Sequence, residues 1–137
     1  MQALRKPKQT YRLLSLLQAL IGIGALPAGF ALITDPSGAS LGMPLEWLDG
    51  SPFPSFLIPG LFLFFVNGVA QVIAAVLSWR QHRLAGLFGI GLGTLLIGWI
   101  IIQMMIVDFS WLQPTYLAFG AIESWLGWVL YRHGQQA

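Results

Sequence analysis

Glu123 is the one formal charge deep inside a long apolar run, and three amide side chains, Asn67, Gln71 and Gln18, sit within other apolar runs. An ionisable group at the centre of a bilayer costs roughly 2.5–3.5 kcal/mol on insertion scales, so it turns to a bundle interior and takes a partner. A protonated glutamate donates to one amide oxygen and accepts from an amide nitrogen. A neutral Glu123 paired with Asn67 would therefore be satisfied without charge. At ~1.5 Å of rise per residue, Asn67 and Glu123 are expected at one depth near the midplane, with Gln18 and Gln71 forming a second, deeper level.

Three chemistries fit this set. The first is interhelical glue, each hydrogen bond contributing about 0.6 kcal/mol in membrane measurements. The second is a site at Glu123 that binds or relays a proton or small cation, with Asn67, Gln71 and Gln18 lining a polar seam. The third is contact of the carboxyl with a lipid headgroup or a partner subunit. Glue is the preferred reading, and the expected role is a non-catalytic binding or accessory component. A proton- or cation-linked transporter or channel for a small solute is the alternative.

An enzyme is not expected. The chain has no paired carboxylate, HExxH, nucleophile elbow or phosphate loop, and His82 and His133 fall at loop ends far along the chain from Glu123. Both histidines read as solvated or headgroup-facing, and no cofactor or metal site is expected. The absence of cysteine excludes a disulfide framework, a thiol nucleophile and a haem thioether attachment.

The elements that must hold these residues are helices. With 56% hydrophobic and 9% charged residues and a mean hydropathy of +0.73, the chain lies far from soluble domains, which carry about 25% charged residues. A span needs about 20 apolar residues, so 137 residues have room for four crossings. The expectation is an all-α, up-down four-helix membrane bundle forming a single domain over 1–137. Its spans lie near 13–33, 56–79, 84–107 and 111–131, with an outer loop at 34–55.

Helical spacing gives each span a face of small and polar residues. Ser15, Gln18, Gly22, Ala25 and Gly29 share one side of the first span, where Pro27 is a candidate kink. Gly60, Phe64, Asn67, Gln71, Ala75 and Ser78 share one side of the second. Gly86, Gly89 and Gly93 line the third, and the GxxxG spacing of the last two is read as close packing within the bundle. Tyr116, Gly120, Glu123 and Gly127 line the fourth, with Pro114 placed to start it and Trp125, Trp128 and Tyr131 reading as an interfacial aromatic belt. In the outer loop, Ser40 to Asp49 reads as a short helix with Pro44 in its first turn and Gly50 at its stop. Leu41, Leu45 and Leu48 then share one side, as an interfacial anchor rather than a moving lid.

Basic residues fall on one side only. Arg5, Lys6, Lys8 and Arg12 precede the first span, Arg80 and Arg83 separate the second from the third, and Arg132 follows the fourth. By the positive-inside rule both termini are cytoplasmic. A net charge of +2 and a pI near 9.4 then point to the membrane surface rather than nucleic acid. The expected partners are membrane lipid and other membrane subunits or a second copy of the chain. The first run could serve as a signal peptide, but it is longer than the ~7–15 apolar residues of a secretory h-region, and a first span is preferred.

The segments Leu41-Gly-Met-Pro-Leu-Glu-Trp-Leu-Asp-Gly-Ser-Pro-Phe53, Ile58-Pro-Gly60 and Ser110-Trp-Leu-Gln-Pro114 resemble a family of small bacterial four-span inner-membrane proteins. The resemblance covers most of the chain. It implies the architecture and a bacterial inner membrane, and it implies no activity.

Overall fold

A computed structural model describes residues 7–106 and 111–136. Among them the chain is all-helical, with four long helices and no strand. Helix α1 spans Pro7–Thr34, α2 Leu57–Trp79, α3 Ala85–Ile106 and α4 Leu112–Gln136. Three of these, Pro7–Thr34, Leu57–Trp79 and Ala85–Met105, are long and apolar enough to cross a membrane. Arg5 and Lys6, counted above for charge topology, and Ser110, at the start of the third resembling segment, lie outside the described residues.

Helix α1 runs unbroken through Pro27 and stops before Pro36, whose ring disfavours a helical conformation at the preceding Asp35. Asp35 then organises the exit. Its Oδ1 accepts from the Ser37 hydroxyl at 2.6 Å and its Oδ2 from the Ser40 backbone N–H at 3.2 Å. Helix α2 is not uniform: Phe65–Val69 forms a π-helical turn between α-helical segments Leu57–Phe64 and Ala70–Trp79. Between α2 and α3, Gln81 takes a left-handed φ of 57°. The His82 Nδ1 atom accepts the Leu84 backbone N–H at 3.1 Å, and the His82 carbonyl accepts that of Ala85. His82 thus closes the start of α3.

The outer loop departs from the single short helix expected over Ser40 to Asp49. It forms two 3-10 turns, Ala39–Leu41 and Leu45–Leu48, separated by Gly42 at a φ of 69°. A left-handed residue ends a helical turn, so Leu41 and Leu48 do not continue one face. Leu48 is buried against Leu32 and Phe56, whereas Leu41 and Leu45 stay exposed. Pro44 sits in extended conformation just ahead of the second turn.

Packing follows the small residues. A Cβ on Gly127 would lie 2.6 Å from the Ile90 backbone nitrogen, and one on Gly89 would lie 3.0 Å from the Gly127 Cα. Gly93 and Gly120 face each other in the same way, so α3 and α4 touch backbone to backbone in antiparallel register. Helices α1 and α2 also run antiparallel, with Gly29 against Phe64 and Gly60 against Leu32. The two pairs are joined by α1 against α4 and by α2 against α3. Leu14 of α1 packs on Leu126 and Leu130 of α4, and Ile21 of α1 sits in a cluster with Leu96, Trp99 and Ile100 of α3.

Candidate functional site

Glu123 is fully buried where α1, α2 and α4 meet. Gln18 Nε2 donates to its Oε2 at 3.1 Å, and Gln71 Nε2 donates to its Oε1 at 2.9 Å. Gln18 is itself held, because the Ser78 hydroxyl donates to its Oε1 at 2.8 Å. One turn away, the Ser15 hydroxyl donates to the Ala75 carbonyl at 2.6 Å. The carboxyl is therefore the node of a chain that runs Ser78, Gln18, Glu123, Gln71 across three helices. Gln18, Gln71 and Ser78 are as buried as Glu123.

Of the four expected site residues, three converge. Gln18 and Gln71 share a level with Glu123 rather than lying deeper, and Asn67 is not its partner. Both amide atoms of Asn67 lack a hydrogen-bond partner among the described residues, although the side chain is only 1% exposed. The reason lies in where the helices begin. Equal depth was inferred from equal distance to the span starts, but α4 starts inward of α2. The contacts of Gln18 with Glu123 and of Gly24 with Tyr116 set the α1–α4 register. Extending it puts Leu112 level with Gly29 and Leu63, roughly six residues or ~9 Å inside the start of α2. Asn67 thereby lies one turn outward of Gln71 and roughly two turns outward of Glu123.

A half-open cavity of about 200 Å³ lies beside Asn67, lined from all four helices by Ile21, Asn67, Leu96, Trp99, Gln103 and Tyr116, among others. A second cavity of about 220 Å³ adjoins it through the shared walls Ala28, Leu63, Trp99, Gln103 and Leu112. Leu41, Met43, Leu48 and Phe53 of the outer loop line this second cavity.

Ser78 and the cavity walls Trp99, Gln103 and Tyr116 were not among the expected site residues. Ser78 had a signal, since it lies seven residues from Gln71 on the same helical face. The cavity had none, because its walls come from four different helices.

Chemically, the node presents a carboxyl whose two oxygens each meet a neutral N–H donor. Gln71 Oε1 is a buried acceptor without a partner among the described residues. Turning that amide over would offer an acceptor to a proton on Glu123. No family model, no curated protein and no solved structure matches the chain.

Proposed function

We propose that the chain is a four-span, up-down bundle of a bacterial inner membrane with both termini cytoplasmic. In this reading it serves as a non-catalytic binding or accessory component. The outward faces support a bilayer setting: Leu13, Leu16, Leu20, Ile23 and Phe30 run exposed down α1, and soluble monomers rarely leave such a stripe in water. On α4, Trp125 and Trp128 are half-exposed near the end carrying Arg132, as an interfacial belt would be.

The observation that carries the non-catalytic reading is the complete commitment of Glu123. Both oxygens are taken by amides from two other helices, and one of those amides is anchored in turn. A carboxyl so engaged holds the helices together. The transport alternative draws on a different observation, the unpartnered Gln71 oxygen and Asn67 amide lying one helical turn apart on α2.

Glu123→Gln in proteoliposomes separates the two readings. Under the accessory reading the wild type shows no Glu123-dependent proton or cation flux, and other chains or lipids co-purify in mild detergent. A flux that disappears in Glu123→Gln while thermal stability holds would establish transport instead. Orientation is tested in the cysteine-free chain by single cysteines. Ser51→Cys should react with an impermeant maleimide from outside, and Gln81→Cys only from inside.

A further inference from the structure

We propose that the cavity beside Asn67 binds an uncharged, ring-sized apolar molecule bearing a carboxamide or a protonated carboxyl group, with Asn67 pairing to that group. Asn67 is nine-tenths buried and more, yet neither its Nδ2 nor its Oδ1 has a partner among the described residues. Leaving a buried polar group unmatched costs about 1–3 kcal/mol, and Asn67 leaves both a donor and an acceptor. It lines the 200 Å³ cavity directly and sits in the middle of the π-helical turn Phe65–Val69. Such turns recur at functional sites because they re-aim side chains without breaking the helix.

Chemical complementarity selects the ligand class. An asparagine amide shows a donor and an acceptor side by side. Its match is a group that shows an acceptor and a donor side by side, as in a primary carboxamide, a lactam or a neutral carboxylic acid. A charged carboxylate would find no cation among the cavity walls, whose polar members are Asn67, Gln103 and Tyr116. The body of the ligand must be apolar, since the remaining surface is apolar, with Ile21, Leu63, Leu96, Trp99, Ile100 and Leu112 as its largest members. Size sets the scale: a dry cavity of about 150 Å³ accommodates benzene, so this space admits a ring with one or two substituents. A longer apolar tail would extend along the adjoining cavity beneath Leu41, Met43 and Leu48.

Asn67 is the sole asparagine of the chain, which makes the test direct. Asparagine-selective ¹⁵N labelling of the full chain in detergent gives one side-chain NH₂ pair. Benzamide should shift that pair saturably. Toluene and N,N-dimethylbenzamide, which lack the donor, should bind at least about tenfold more weakly, as expected for loss of one to two hydrogen bonds. Benzamide should raise the Tm of the wild type and not that of Asn67→Leu. If Asn67→Leu fails to fold, Ala28→Leu serves, because it fills the space while keeping the reporter amide; benzamide binding should then weaken.

A shift that grows linearly without saturation, or one equal for toluene and benzamide, overturns the proposal. So does an Asn67 amide that keeps unchanged cross-relaxation with water at high benzamide, which would mean a water-filled chamber only. The inference rests on the binding reading above, but its readout is at Asn67. A Glu123-dependent flux would sink that reading and leave the benzamide titration standing.

Discussion

Gln71 donates to Glu123 at 2.9 Å while its own carbonyl oxygen meets no partner among the described residues; Gln18, on the opposite carboxyl oxygen, is tied at both ends. One side of the carboxyl is therefore adjustable and the other is fixed.

That asymmetry predicts the order of substitutions at Glu123. Glu123→Gln introduces an NH₂ group that Gln71 can accept by turning its amide over, so stability should fall by less than about 1 kcal/mol. Glu123→Leu strands two buried N–H donors, and a loss of about 2 kcal/mol is expected. Adding Gln71→Leu to Glu123→Gln removes the adjustable acceptor and should bring the loss close to that of Glu123→Leu. Thermal unfolding in one detergent measures all three.

Glycines at the α3–α4 contact should behave opposite to glycines facing open space. A Cβ at Gly127 meets the Ile90 backbone nitrogen and the Gly86 carbonyl, which cannot swing aside. Gly127→Ala must therefore part the helices, with an expected cost of about 1–3 kcal/mol. A Cβ at Gly91 or Gly98 meets nothing, so Gly91→Ala and Gly98→Ala should be neutral or stabilising by up to about 1 kcal/mol. Melting temperatures of the three variants decide this.

Asp35 should titrate below the ordinary aspartate value of about 3.9, because the Ser37 hydroxyl bonds its charged form, aided by the Ser40 and Ser37 backbone N–H groups. A depressed folded value means that its contribution to the loop is present above the unfolded value and is lost as pH falls through the folded one. Carboxyl ¹³C titration should show the low midpoint, and Ser37→Ala should move it up. An unmoved midpoint in Ser37→Ala would contradict the assignment.

Arg12 lies with its guanidinium carbon 3.8 Å from the centre of the Trp79 ring, linking the start of α1 to the end of α2. A double-mutant cycle with Arg12→Ala and Trp79→Leu should return a coupling of about 0.5–1 kcal/mol. Because the attraction acts through charge, Arg12→Lys should retain part of it and Arg12→Gln little.

The sequence by itself determined which residues turn inward. Ser15, Gln18, Gly22, Ala25 and Gly29 on α1, and Gly120, Glu123 and Gly127 on α4, are all buried, because helical periodicity assigns faces without reference to any partner. It also marked the glycine contact of α3 and four apolar runs, three of which form helices long and apolar enough to cross a membrane. What the tertiary structure alone decided is who meets whom across helices. Glu123 meets Gln18 and Gln71 rather than Asn67, since that choice depends on the axial offset of α4 against α1 and α2. Close glycine contacts between facing helices fix that offset. No periodicity within one helix encodes it.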